Sequence, residues 1–357
     1  MAAPSQPADL EALSRRFHRF ATLETGGSSP LYERLCLGIS QDADVLALAA
    51  QARSQPVPNI LLAAVHYLLL KGVQHPLAAF YPSVSSATQP GDDPYPHFRT
   101  FCIEHRDEVL NLIRTRLVQT NDVRRCVYLA LAFGIVAERA GRRPLALIDV
   151  GASAGLNLLW DRFGYDYSGR RLGDPGAPVQ LTCELRGGLR PPFPERLPAV
   201  AWRVGIDLNP VDVRDPGAML WFRALIWPEH RERVELLMRA IQLARQDPPE
   251  LIAGDALELL PRVIAAVPRD TPVCVFHTHA VNQFPREARE RLTALIQEHG
   301  SRRDLYRVAA EWIGTPQTQL ELVAYEQGVK TEKLLAYVDG HARWIEWLDH
   351  GWPISGA

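Results

Sequence analysis

Apolar positions recur along the chain at two spacings, and the change from one to the other near residue 141 divides it. Over the first 140 residues hydrophobic side chains return every three or four positions, as in Val109, Leu112, Ile113 and Leu117. This predicts helices at about 9–24, 29–39, 42–51, 58–70, 96–115 and 122–140, with a Pro- and Gly-rich loop at 89–96. From 145 onward the pattern becomes short, mainly apolar runs that end on polar residues, at 146–150, 200–207, 250–255 and 271–279. Such runs predict strands buried on both faces. A helix at 286–299 follows, and then alternating stretches at 304–312, 318–327 and 333–347 predict late strands, the last two closing as an antiparallel pair. The expected organisation is an all-helical amino-terminal cap domain over 1–140 and an α/β domain over 141–357.

The strand ends carry the chemistry. Residues 145–159 read as a buried strand interrupted by Asp149, a turn at Gly151-Ala152-Ser153-Ala154-Gly155, and a helix that begins at once and contains Asn157. A Rossmann-type sheet holds a nucleotide-like cofactor at such a turn, because glycine allows the backbone to bend and the helix-start amides attract polar ligand atoms. The second run ends on Asp207, followed by Leu208, where a ribose diol is held. The third ends on Asp255 and Ala256, where a carboxylate can accept from an exocyclic amine. The fourth ends among His277, His279 and Asn282. Residues two apart on a strand point to one side, so the two histidines are expected to act as base and orienter, with Asn282 orienting a substrate. No third ligand at a recognisable spacing accompanies them, so no metal is expected.

Gln119-Thr-Asn-Asp-Val-Arg-Arg125 clusters amides, an acid and guanidinium groups at a helix start. Thr120 or Asn121 can cap that helix. The functional reading takes Gln119, Asn121, Arg124 and Arg125 as substrate-binding, an arginine gripping a carboxylate. Fifty-six positions separate Gly151 from Asp207, against about 20 in a simple nucleotide-binding unit, so an insertion is expected at about 164–198. Its Gly, Pro and short alternating stretches suggest a hairpin-like excursion, over the cofactor or as a plain surface loop.

The series glycine turn, acid, Gly-Asp-Ala and polar strand end resembles class I S-adenosylmethionine-dependent methyltransferases over about 145–350. More closely, the segments 119–125, 149–157, 207–212 and 225–229 resemble the bacterial family catalogued as domain of unknown function 2332, across nearly the whole chain. That family supplies no activity. The methyltransferase resemblance implies a mostly parallel sheet with helices on both faces and a reversed late strand. It also implies S-adenosylmethionine at 149–157, 207–208 and 255–256, and histidine-assisted methyl transfer to a small molecule. Two alternatives stand beside it. One is a non-catalytic nucleoside- or nucleotide-binding protein of the same fold. The other is an NAD(P)-dependent oxidoreductase, since Gly151-Ala-Ser-Ala-Gly-Leu resembles the short-chain dehydrogenase turn, although the pair Tyr67 and Lys71 lies upstream on an apolar helix.

Composition narrows the classes. A net charge of −2, with three lysines among 39 basic residues, gives no basic face for nucleic acid. Five scattered cysteines suggest reduced, buried thiols rather than a disulfide framework, and the expected compartment is the cytoplasm. No apolar run is long enough to span a bilayer. Trp312, Trp344 and Trp347 are expected to be packing residues.

Overall fold

Leu145–Val150 and Val273–Thr278 are buried at every position, which only a strand covered on both faces can be. They lie side by side within the parallel part of an eleven-stranded sheet. The computed structural model describes residues 7–86, 91–315 and 317–349. The chain forms two compact units, 1–120 with 214–235, and 121–213 with 236–357.

The first unit is helical. It contains α1 (Pro7–Arg19), α2 (Pro30–Ile39), α3 (Ala43–Ala49), α4 (Val57–Leu70), α5 (Tyr95–Glu104) and α6 (Arg106–Thr115). The segment expected as one helix over 96–115 is broken at His105, whose ψ of 34° ends α5 before Arg106 starts α6. After α7 (Cys126–Arg139), which belongs to the second unit, the chain returns to the first through α8 (Pro216–Leu225). Trp221 of α8 joins the helical core and donates its ring N–H to Leu117 O at 2.9 Å. Tyr67 packs its ring against Trp221, 5.8 Å away. His66 is wholly buried: Nδ1 donates to Ala224 O at 2.9 Å, leaving Nε2 to accept from Ser83 Oγ at 2.7 Å. Burial, and then Arg223, lower its pKa to about 4.

The second unit holds the sheet, with β1 (Leu145–Val150), β2 (Gly164–Tyr167), β3 (Arg170–Gly173), β4 (Gln180–Arg186), β5 (Val200–Asp207), β6 (Glu250–Ala253), β7 (Val273–Thr278), β8 (Leu305–Glu311), β9 (Thr318–Glu326), β10 (Val329–Val338) and β11 (Trp344–Trp347). Their order is β3-β2-β4-β11-β10-β9-β8-β7-β1-β5-β6. The five strands β6, β5, β1, β7 and β8 are mutually parallel. Beyond β8 the chain turns back on itself as an antiparallel series through β9, β10 and β11. On one face α10 (Ala256–Ala266) and α11 (Arg286–Gly300) pack Leu260, Ile264, Leu292 and Ile296 against Ile148, Val204 and Val275. On the other, Phe133 of α7 meets Phe276 and Trp160 at 5.2 and 4.9 Å between ring centres. The remaining long helix, α9 (Arg231–Gln246), has residues in both units.

Four expectations are corrected by this arrangement. The helical part gives up α7 to the sheet unit and gains α8, so the division falls at 121 rather than 140, because α7 spends its apolar face on β7. The glycine turn opens not an α-helix but a seven-residue 3₁₀ segment, Leu156–Arg162, since β2 begins at Gly164 and leaves room for only two tight turns. The inserted segment does hold a hairpin, β2 with β3, but with β4 it extends the sheet past β11 instead of overlying it. Finally, β7 ends at Thr278 and His279 turns to φ +52°, which breaks the strand alternation between His277 and His279. Among the described residues no helix is long and apolar enough to cross a membrane, and the five cysteines are buried free thiols.

Candidate functional site

The strand order reverses between β1 and β7, since the chain leaves β1 toward β5 on one side and later fills β7 on the other. In open parallel sheets ligands gather at the carboxyl ends of the strands beside that reversal. The ends of β1, β5, β6 and β7 share that edge, and with them come Asp149, the glycine turn, Asp207, Asp255 and loop 279–282.

Asp149 is 3% exposed, and no hydrogen bond to its carboxyl occurs among the described residues. Burial first, and Asp207 second, push its pKa up to about 8, against the opposing pull of Arg125. The turn beyond it is shaped by glycine and serine at positive φ. A Cβ on Gly151 would stand 2.4 Å from Ala280 Cβ, so glycine here brings the turn against the loop after β7. A Cβ on Gly155 would meet Pro249 Cγ at 2.6 Å, so that glycine accommodates the chain entering β6. Between them Ala152 is fully buried, and Ser153, at φ +56°, donates its N–H to Asp207 Oδ2 at 2.8 Å. Ser153 Oγ is buried without a partner.

Asp207 thus closes the turn, and its other oxygen accepts from Asn209 N at 2.8 Å. Leu208 stands 69% exposed beside it. Asp255 is exposed and caps α10 by accepting from Leu257 N at 2.8 Å, whereas Ala256 is buried in the core under β1 and β5. Asn157 also points into the protein, where Cys126 Sγ approaches its Oδ1 at 3.6 Å.

The cluster at 119–125 is divided. Gln119 and Thr120 lie in the helical unit, and 121–125 lie in the sheet unit. Asn121 does not cap its own helix: its Oδ1 accepts from Leu156 N at 2.8 Å, the first amide after the glycine turn, and Asp122 caps Arg124 N instead. Arg124 donates to Thr182 O at 3.1 Å. Arg125 Nη1 donates to Thr278 O at 3.1 Å, which fixes the guanidinium at the end of β7 while Nε is buried without a partner.

The residue that organises the β7 end is one the sequence reading passed over. Glu311, the last residue of β8, is 6% exposed and accepts four hydrogen bonds. They come from His277 Nδ1 at 2.8 Å, Ala280 N and Val281 N at 3.1 Å each, and Asn282 N at 3.2 Å. Burial alone would raise its pKa, but His277 and these amides outweigh it and hold the carboxyl below the ordinary value. His277, 1% exposed, uses its second nitrogen to accept from Arg307 Nε at 3.2 Å. Burial lowers its pKa against the pull of Glu311, so it is a neutral imidazole with both nitrogens engaged.

His279 differs. Its Nε2 is buried without a partner, as is Asn282 Oδ1. Burial, and then Arg125, lower its pKa to about 3. Its ring lies 6.3 Å from that of Trp312, edge to face. Trp312, expected to pack, is 56% exposed; Trp347 is buried as expected and Trp344 half-buried. Glu311 carries the same signal as Asp207 and Asp255, an acid ending an apolar run, and was legible on that ground. No group of three or more His, Cys, Asp or Glu side chains poised to hold a metal occurs among the described residues.

A family model described as "Uncharacterized protein conserved in bacteria (DUF2332)" matches residues 14–347. The chain belongs to the DUF2332 family. No curated protein and no solved structure matches it. The family match takes in both units, so the helical unit and the sheet unit with its strand-end site are parts of one family fold.

Proposed function

We propose that the protein is an S-adenosylmethionine-dependent methyltransferase of Rossmann-like fold acting on a small molecule. The observation that carries this reading is the meeting, at one sheet edge, of the Asp149 turn, Asp207, Asp255 and the polar loop after β7. The residues suit the cofactor. Asp207 sets a carboxylate at the end of β5, where a ribose diol can donate to it, exposed Leu208 offers an apolar surface for a purine, and Asp255 has one oxygen engaged in its cap. The partnerless Ser153 Oγ faces the same turn as a ready hydrogen-bonding group. When bound, the cofactor supplies an electrophilic methyl on a sulfonium; the chain's own task is then to align an acceptor and receive a proton. His279 is the group for that proton, and His277, with both nitrogens engaged, acts through Glu311 on the loop.

A second reading, a nucleoside-binding protein without turnover, draws on the low basicity of His279, which is far from the pKa that favours proton transfer near neutrality. Isothermal titration with S-adenosylmethionine, its demethylated product and NADP tests both. Asp207→Asn and Asp255→Asn keep the turn and cap shapes and are expected to weaken the sulfonium ligand by about tenfold or more. Silence toward it, or binding that both variants leave unchanged, overturns the proposal. Tight binding with no methyl transfer to any acceptor in a metabolite panel favours the second reading.

A further inference from the structure

We propose that Arg125, His279, Asn282 and Trp312 form a subsite for a planar aromatic molecule bearing a single carboxylate, the methyl acceptor in the reading above, on which its role as acceptor rests.

Three buried polar atoms meet around the end of β7 with no partner: Arg125 Nε, His279 Nε2 and Asn282 Oδ1. A buried polar atom that nothing bonds is costly, so three in one place mark a site that a polar group would complete. The set contains a guanidinium donor, an amide acceptor and a neutral imidazole. A planar carboxylate matches the guanidinium fork, and an adjoining hydroxyl or amine can donate to Asn282. Beside them Trp312 and Ile313 are 56% and 42% exposed where β8 ends. A large exposed aromatic next to partnerless polar groups is the form of a ligand platform, one end apolar and the other wet.

The charge around the subsite limits the anion. Glu311 is held ionised, and Asp122 and Glu311 are both close enough to act on His279. One guanidinium among these acids suits a monoanion, and a phosphate dianion would meet more repulsion than attraction. The position of Arg125 is set by Thr278 O and that of loop 279–282 by Glu311, so both walls are fixed before a ligand arrives.

The test is calorimetric titration of the full chain with benzoate and 4-hydroxybenzoate, with benzamide and cyclohexanecarboxylate as controls, alone and with S-adenosylmethionine. The aromatic acids are expected to bind and the controls to bind about tenfold more weakly or not at all. Trp312→Ala, a change at an exposed position, is expected to weaken the aromatic acids by a similar factor and leave S-adenosylmethionine affinity unchanged. Arg125→Gln, with a melting curve to verify folding, is expected to abolish the preference of benzoate over benzamide. Failure of every aromatic acid at millimolar concentration, or binding that Trp312→Ala leaves unaltered, overturns the proposal while leaving the cofactor reading standing. Aromatic acids that bind to a chain indifferent to S-adenosylmethionine keep the subsite and remove the methyltransferase.

Discussion

At Asp149 burial works against the carboxylate, and the neighbouring Asp207 adds to it. Its folded pKa of about 8 lies above the ordinary 3.8, so the folded chain holds a proton that the unfolded chain has released. That contribution is complete below the unfolded value and is lost as pH rises through about 8. Asp149→Asn keeps the shape without the titration. It is expected to flatten the stability profile between pH 4 and 8, by on the order of 1 kcal/mol per pH unit, and to be the more stable form at the alkaline end. Urea denaturation of both proteins across that range checks this, and parallel profiles contradict it. His66 and His279 have the opposite sign: burial holds both below their ordinary value, so their contribution is present near neutrality and is lost as pH falls from about 6.5 toward 4 and 3. Which residues end the strands was legible, because an acid or histidine closing an apolar run needs no knowledge of neighbours. What each does was not. Asn121 serves Leu156, 35 positions away, and Asn157 and Ala256 are turned into the protein. Those outcomes depend on tertiary placement, which local spacing does not carry.

Residues 279–282 lead into the single 3₁₀ turn Val281–Gln283, and Glu311 anchors the amides of 280–282 to the end of β8. Removing the carboxylate by Glu311→Ala leaves three amides and a buried imidazole without their acceptor, with an expected loss of roughly 3–5 kcal/mol. Glu311→Gln retains one acceptor oxygen and is expected to lose less. The signature of an anchor, as opposed to general loosening, is local: hydrogen exchange at residues 280–282 should accelerate well beyond that of β7 itself. Equal acceleration throughout the sheet contradicts the anchoring role. The strands β1, β5, β6 and β7 were legible from their short apolar runs and the antiparallel pairing of β9 and β10 from its alternation, whereas β8, expected among the late strands, pairs parallel with β7. The break at His105 and the 3₁₀ segment after Gly155 were not, because both are set by how far the chain must travel to its next element rather than by side-chain pattern.

On the scale of the whole molecule, the helical unit is discontinuous. Residues 1–120 lack Trp221, which fills their core, and Glu229, which accepts from Ser29 Oγ at 2.7 Å and Leu31 N at 2.9 Å at the start of α2. A 1–120 fragment is therefore expected to show no cooperative thermal transition by circular dichroism, and joining 214–235 to it through a short linker is expected to restore one. A sharp transition in the fragment alone contradicts this account. The sequence pattern placed a boundary near 140 because helices and strands change over there; it could not show that α8, helical like its neighbours in space, is distant from them in the chain.

The eleven-stranded sheet does not close on itself, and its outermost strands, β3 and β6, are each four residues long. β3 begins with Arg170 and Arg171, both exposed, and Arg170 lies over the ring of Phe193 at 4.2 Å. Unpaired strand edges are templates on which another chain can add itself, and short, charged edges discourage it. The inserted segment that holds β2 and β3 therefore provides one border of the sheet, and its two arginines guard that border against edge-to-edge aggregation.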